Sequence, residues 1–132
     1  MKNYKDLFVW QRGHAFVLDV YHVTKNFPKE ELYGITSQLR RAAVSVPTNL
    51  AEGSGKFTQR DFAKYLQNSL GSCMESEYLI FLSFELGYMT LEQFKSLDEQ
   101  VNEVKAKLIN FMVKVRGDED RKIKKAKKAV NK

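Results

Sequence analysis

Residues 32–55, LYGITSQLRRAAVSVPTNLAEGSG, decide how this chain folds. Their pattern predicts one amphipathic helix with two stripes, because apolar and polar side chains both recur at helical spacing. The apolar stripe is formed by Ile35, Leu39, Ala42, Val46 and Leu50. The polar stripe, about a quarter turn away, is formed by Gln38, Arg41, Ser45, Asn49 and Glu52. A polar row beside a core needs partners, so the segment is either a device that fixes helix register or a site.

Pro47 lies inside this segment and predicts that helix 2 is interrupted or kinked, because proline removes one backbone hydrogen bond and frees the carbonyl of Ala43. The remaining glycines and prolines are sparse. They divide the chain into four helical patterns, at about residues 6–26, 30–53, 58–86 and 90–116. Four long helices with short connections predict an all-α, antiparallel up-down-up-down four-helix bundle.

The ends and faces of the other helices also follow from the pattern. Thr58 with Asp61, and Thr90 with Gln93, have the spacing of N-terminal capping boxes, and Gly87 is placed to end helix 3. The predicted core face of helix 1 contains Trp10, Gly13, His14, Val17, Val20, Tyr21 and Thr24, with Phe8, Phe16 and Leu18 outside. A heptad seam along helix 4 contains Phe94, Leu97, Val101, Val104, Leu108, Phe111 and Val115.

Composition favours one cytoplasmic domain. The 132 residues contain a single cysteine and no apolar run long enough to span a bilayer, and the N-terminus has charges where a signal peptide needs apolar residues. Much of the net charge of +6 belongs to residues 117–132, which hold seven Lys/Arg and three Asp/Glu. This basic C-terminal tail is predicted to be disordered or a helical extension. It either binds phosphates or is a solvated extension.

Helix 3 carries more apolar surface than a single bundle buries. From Tyr78 to Phe84 it is apolar nearly all round, with Leu79 and Leu82 opposite Ile80 and Phe84. A helix that is apolar on every side is buried on every side. We therefore expect a second subunit to cover the remainder, so the protein is predicted to be a homo-oligomer.

The sequence offers no set of residues for catalysis, a metal or a cofactor. His14 and His22 lack the spacing of metal ligands, and His14 is predicted to be a core histidine. Cys73 falls on the core face of helix 3 and is predicted to behave as a small hydrophobe. An enzyme that uses Glu77, Glu52 or His14 is the weakest interpretation, since no acid–base set emerges. The protein is therefore predicted not to be an enzyme.

Glu77 falls on the predicted buried face of helix 3, where a carboxylate needs a partner. Arg41 is the best candidate, with Asn49 and Gln38 as neutral donors. The predicted network between helices 2 and 3 comprises Gln38, Arg41, Ser45, Asn49, Glu52 and Glu77. The alternative is that these residues fix register and do nothing more.

Basic residues at the start of helix 3 suggest a surface for phosphates. Lys56, Arg60 and Lys64 repeat at four-residue steps and share one face. With other basic residues they predict a nucleic-acid-binding set comprising Arg40, Lys56, Arg60, Lys64, Lys122, Lys124 and Lys125. The alternative is an ordinary solvated helix face.

Motifs along the chain resemble one known family. They are Asp6-Leu7 with Val9-Trp10-Gln11, residues 27–34 (FPKEELYG), residues 38–43 (QLRRAA), Ser45, Pro47, Asn49, Ala51-Glu52-Gly53, Tyr65-Leu66, Ser69, Gly71-Ser72, Glu75 and Leu86-Gly87-Tyr88. Over about residues 6–115 the chain resembles the bacterial four-helix bundle family encoded in part within intervening sequences of the 23S ribosomal RNA gene. The tail lies outside this resemblance.

The resemblance implies an antiparallel four-helix bundle that assembles as a homopentameric ring, with no enzymatic activity. A related protein, the accessory variability determinant of diversity-generating retroelements, implies RNA or DNA binding and a reverse transcriptase partner. The leading hypothesis is a non-enzymatic oligomeric scaffold that binds nucleic acid through basic faces, with no membrane association. The alternative hypothesis is a protein–protein interaction module without a nucleic-acid role.

Overall fold

The computed structural model describes residues 3–130, and within that range the chain is helical with no strand. The four long helices are α1 (Phe8–Thr24), α2 (Ile35–Ser54), α3 (Gln59–Glu85) and α4 (Leu91–Val130). Short 3-10 helices at Tyr4–Asp6 and Lys29–Glu31 precede α1 and α2. Each helix packs on the next one in sequence, and α1 also packs on α4. The predicted four-helix bundle is confirmed.

The core is a continuous apolar column in which α2 and α4 contribute the predicted stripes. All five residues of the apolar stripe of α2 are buried, from Ile35 to Leu50. The heptad seam of α4 is buried or packed against the core as far as Val115. This agreement follows from the regular 3-4 spacing, which holds one side of a helix against its neighbours.

Predicted capping contacts set the starts of two helices. The backbone N–H of Asp61 donates to Thr58 Oγ1 at 3.1 Å. At α4 the exchange is reciprocal, since Gln93 N–H donates to Thr90 Oγ1 at 3.1 Å and Thr90 N–H donates to Gln93 Oε1 at 3.0 Å. Gly87 follows α3 with φ of +81°, a conformation that favours glycine. These three local predictions are confirmed.

The predicted face of α1 is wrong in part. Phe16, expected outside, is fully buried, whereas Phe8 and Leu18 are exposed as expected. His14, expected in the core, is exposed and stacks on the Trp10 ring with centroids 5.0 Å apart. Aromatic residues occur all around α1, so the pattern alone did not decide which of them faces the core.

Helix α2 begins later than predicted and continues through Pro47. Its first residue is Ile35, because Gly34 has φ −106° and ψ −121°, outside the helical region.

Around Pro47, side-chain donors reach α2 carbonyls: Thr48 Oγ1 to Val44, Asn49 Nδ2 to Ser45 and Ser69 Oγ to Val46, each at 2.8 Å. Of the two predicted outcomes, an interruption or a kink, the interruption is absent, because α2 is one continuous helix.

The C-terminal tail is helical as far as the structure describes it. Helix α4 has 40 residues, which corresponds to about 60 Å. Its core contacts end near Val115, and the described side chains from Asp120 to Val130 are exposed. The last part of α4 therefore projects beyond the bundle, at the end where α1 and α3 begin.

Candidate nucleic-acid interface

Charge is strongly segregated along the bundle axis. We define the basic end as residues 3–15, 45–72 and 105–130, which pack together through contacts such as Ser72 with Ser45 and Phe62 with Phe111. It holds fifteen Lys/Arg and six Asp/Glu. The acidic end, residues 16–44 and 73–104, holds five Lys/Arg and ten Asp/Glu. The small net charge of the bundle therefore conceals two ends of opposite sign.

This segregation does not depend on the projecting part of α4. Without residues 117–130, the basic end still holds nine Lys/Arg against three Asp/Glu. Antiparallel packing creates the asymmetry, because it brings separate lysine-rich segments to the same level. Concentrated charge of one sign produces a local potential that a uniform surface of the same net charge lacks.

The predicted phosphate-binding residues divide between the two ends. Lys56, Arg60 and Lys64 lie at the basic end with the projecting residues Lys122, Lys124 and Lys125. Arg40 lies at the acidic end, where its Nε donates to Thr24 Oγ1 at 2.8 Å and its guanidinium is 4.7 Å from the Tyr21 ring centroid. Roughly 20 Å of α2 separates Arg40 from Lys56. The structure therefore does not place Arg40 in the same surface.

A cleft of about 780 Å³ opens at the basic end, among α1, the α2–α3 connection and α4. Its aromatic lining consists of Phe8, Phe57, Phe62 and Phe111. Its charged lining consists of Lys56, Lys107, Lys114, Lys122 and Asp118. Asp118 is paired with Arg121, so its charge is already partnered.

Lys107, Lys114 and the cleft phenylalanines were not predicted as site residues. Lys107 and Lys114 are seven residues apart on α4, a spacing that places both on one face. The seven-residue spacing of Lys107 and Lys114 was visible in the sequence. Their proximity to Lys56 and Phe57 was not, because this proximity depends on how α3 and α4 pack.

The predicted polar network is only partly formed. Asn49 Nδ2 donates to Ser45 Oγ at 2.9 Å, and Ser72 Oγ donates to Ser45 Oγ at 2.7 Å. The other α2 members, Gln38, Arg41 and Glu52, are exposed. Four of the five stripe residues line a shallow groove of about 700 Å³ on the outer face of α2, namely Arg41, Ser45, Asn49 and Glu52. The contact between α2 and α3 thus uses a serine–asparagine cluster.

The predicted pairing of Glu77 with Arg41 is wrong. Lys105 Nζ on α4 donates to Glu77 Oε1 at 2.9 Å, and both side chains are largely buried. Glu77 therefore links α3 to α4 instead of α3 to α2. The reason is rotational: Glu77 lies on the opposite side of α3 from Ser72, which faces α2.

Cys73 behaves as the predicted small hydrophobe. Its side chain is fully buried. Burial raises the pKa of its thiol to about 12, with a smaller lowering effect of Lys105 and a raising effect of Glu77. A thiol with so high a pKa carries almost no thiolate near neutral pH, so Cys73 is not an activated nucleophile.

Three further features of the described chain concern metal sites, membrane spans and a tyrosine at the acidic end. Among the side chains that the structure describes, no three His, Cys, Asp or Glu gather as a candidate metal site. None of the helices described is long and apolar enough to cross a membrane. At the acidic end, Tyr88 OH donates to Glu31 Oε2 at 2.8 Å, and this bond raises the pKa of Tyr88.

The profile of the 23S rRNA-intervening sequence protein family matches residues 5–110. The chain belongs to this family. The match ends within α4, so residues 111–130, including Lys114 and Lys122, lie beyond it. No curated protein matches the chain.

Several solved chains match this family member, and one of them shows the shared fold. It is a protein of unknown function from the S23 ribosomal protein family of Bacteroides thetaiotaomicron. The TM-score is 0.74 at 23% identity, and the alignment covers 79% of this chain and 97% of that chain. At this identity the likeness shows the four-helix architecture alone.

Proposed function

We propose that the protein is a non-enzymatic, oligomeric helical bundle that binds RNA or DNA at its basic end. The charge segregation carries this proposal. Phosphate contacts supply most of the affinity of nonspecific nucleic-acid binding, and a dense group of lysines provides them. Family membership supports the proposal through its link with a ribosomal RNA gene.

Exposed apolar side chains support self-association. A strip on neighbouring faces of α3 and α4 comprises Met74, Tyr78, Phe81, Ile109 and Val113, each between 46% and 66% exposed. The segment of α3 from Tyr78 to Phe84, which is apolar on nearly every side, is only partly buried by the rest of the chain. Leu79 is buried, whereas Tyr78 is 60% exposed. A second copy on this strip would bury it. A homopentamer, as the family resemblance implies, would also repeat the basic end five times around one axis.

A salt-titrated binding assay tests the proposal. Fluorescence anisotropy with structured RNA is expected to show affinity that falls linearly with salt on logarithmic axes. Neutralising the basic-end residues Arg60→Gln, Lys124→Gln and Lys125→Gln should weaken binding and make this slope shallower. The matched control neutralises the acidic-end residues Lys25→Gln, Lys29→Gln and Lys95→Gln. Equal losses in the two triple variants, or binding that is unaffected by salt, contradict the proposal.

The second candidate function is a protein-interaction module without a nucleic-acid role. The exposed strip on α3 and α4 favours it, because apolar strips of this kind mark protein contacts. A pull-down that returns only protein and is unchanged by nuclease treatment would support this module. Light scattering decides the assembly state, with a pentamer giving five times the chain mass.

A further inference from the structure

Phe57 is the most exposed phenylalanine of the described chain. It lies in the connection between α2 and α3, and its side chain is 98% exposed. Single exposed apolar residues are common on proteins and need no explanation. Phe57 differs because it lines the cleft at the basic end together with Phe8, which is 52% exposed.

Cations lie close to the Phe8 ring, whereas no cation lies over the described Phe57 ring. Lys107 Nζ is 4.6 Å from the centroid of the Phe8 ring, and the Arg12 guanidinium is 5.1 Å from it. Lys114 and Lys122 line the same cleft and form no ion pair in the described structure. The lining therefore combines exposed aromatic faces with an excess of positive charge.

Two requirements on an occupant follow from this lining. The excess of lysines favours a ligand with several negative charges. The exposed phenylalanine rings favour a ligand with flat apolar surfaces, which inorganic phosphate lacks. The cleft volume of about 780 Å³ is within the range of ligand clefts, about 300–1,000 Å³.

We propose that this cleft binds an unpaired segment of single-stranded nucleic acid, with a base stacked on Phe57 and phosphates on Lys114 and Lys122. Bases of a duplex are stacked on one another and cannot offer their faces to a side chain. The cleft therefore selects single strands over duplexes. This inference rests on the proposed function and specifies its class of ligand.

The test compares Phe57→Ala with Tyr33→Ala as a matched control. Tyr33 lies in a connection at the acidic end and is 94% exposed, so both substitutions remove an exposed aromatic ring without removing core packing. Anisotropy is measured with a single-stranded oligoribonucleotide, the same sequence as DNA, and a duplex of that sequence. Circular dichroism and light scattering verify fold and mass for each variant.

Phe57→Ala is expected to weaken single-strand binding about fivefold to 140-fold, the effect of losing one base–aromatic stack, and to leave duplex binding unchanged. Tyr33→Ala should bind like the wild type. A loss in either the RNA or the DNA arm supports the proposal. Lys114→Gln should make the single-strand salt slope shallower by about 0.7.

Three outcomes overturn the proposal. If the wild-type protein binds duplexes and the Phe57→Ala variant binds single strands as tightly as the wild type does, the stacking site is refuted and the proposed function still stands. Wild-type protein that binds no nucleic acid refutes both. A Phe57→Ala variant with changed oligomeric mass and unchanged affinity assigns Phe57 to an interface between copies.

Discussion

Gly53→Ala tests a close approach between α2 and α3. A Cβ at Gly53 would lie 2.7 Å from Tyr65 Cβ and 2.8 Å from Phe62 Cδ1. Carbon atoms in contact prefer about 3.5–4.0 Å, so the added methyl group overlaps its neighbours by roughly 1 Å. Because Tyr65 Cβ is fixed to the backbone, the two helices must separate to admit it.

The magnitude follows from two opposing effects. Overpacking of a well-packed interface costs about 1–3 kcal/mol, and the overlap with a backbone-fixed atom indicates the upper part of that range. Replacing glycine by alanine in a helix stabilises the helix by about 1 kcal/mol. We therefore expect Gly53→Ala to lower the free energy of unfolding by about 1–2 kcal/mol, or Tm by roughly 3–8 °C.

Gly71→Ala is the matched control, because Gly71 is also inside a long helix. A Cβ there would meet nothing within 4 Å. The helix-propensity gain is then unopposed, so the free energy of unfolding should rise by about 1 kcal/mol. Thermal and urea unfolding measure both variants, with light scattering to verify equal mass. A Gly53→Ala protein as stabilised as Gly71→Ala would refute the close α2–α3 contact.

Three further predictions test contacts described above. In a double-mutant cycle, Glu77→Gln and Lys105→Met should be coupled by about 0.5–2 kcal/mol, whereas Glu77→Gln and Arg41→Met should be additive. Thr90→Ala should lower the free energy of unfolding by about 1 kcal/mol through loss of the α4 cap, with Thr90→Ser close to wild type in a urea titration. Cys73 should resist iodoacetamide at pH 8 in the native protein and react in urea. The pKa of the Cys73 thiol is about 12 in the folded protein and 9.0 in the unfolded chain, so the stability that the protonated thiol contributes should decline as pH rises between these two values. Urea midpoints of the wild type and of Cys73→Ala, measured across this pH range, would detect the decline.

The sequence predicted best those features that depend on neighbours along the chain. The seam of α4 and the cap at Thr90 need only the spacing of residues within one helix. The beginning of α2 was missed because Gly34 adopts a backbone conformation that no periodicity reports. The burial of Phe16 was missed because α1 carries aromatic residues on several faces, and only packing against α2 and α4 decides among them.

The candidate site was predicted less well, for a physical reason. Lys56 and Lys122 were identified because they belong to local basic runs, but Lys107, Lys114 and Phe57 join them only through tertiary packing. Likewise, the sequence analysis predicted that Glu77 pairs with Arg41 of the polar stripe of α2. Glu77 lies on the α4 side of α3 and pairs with Lys105 instead. Long-range pairings of this kind depend on helix rotation, which a shift of one residue changes by about 100°.

The fold and the charge pattern are set by different positions, and this separation limits what family membership implies. Apolar residues at 3-4 spacing determine the bundle, and those of α4 end at Val115. Most lysines of the basic end occupy positions that packing leaves open, and two of those that line the cleft, Lys114 and Lys122, lie beyond the family match that ends at residue 110. A relative can therefore keep every core contact described here and lack the positive cleft. Ligand binding must therefore be tested by changing the lysines and phenylalanines of the basic end, because a shared fold alone does not establish that a protein binds the ligand.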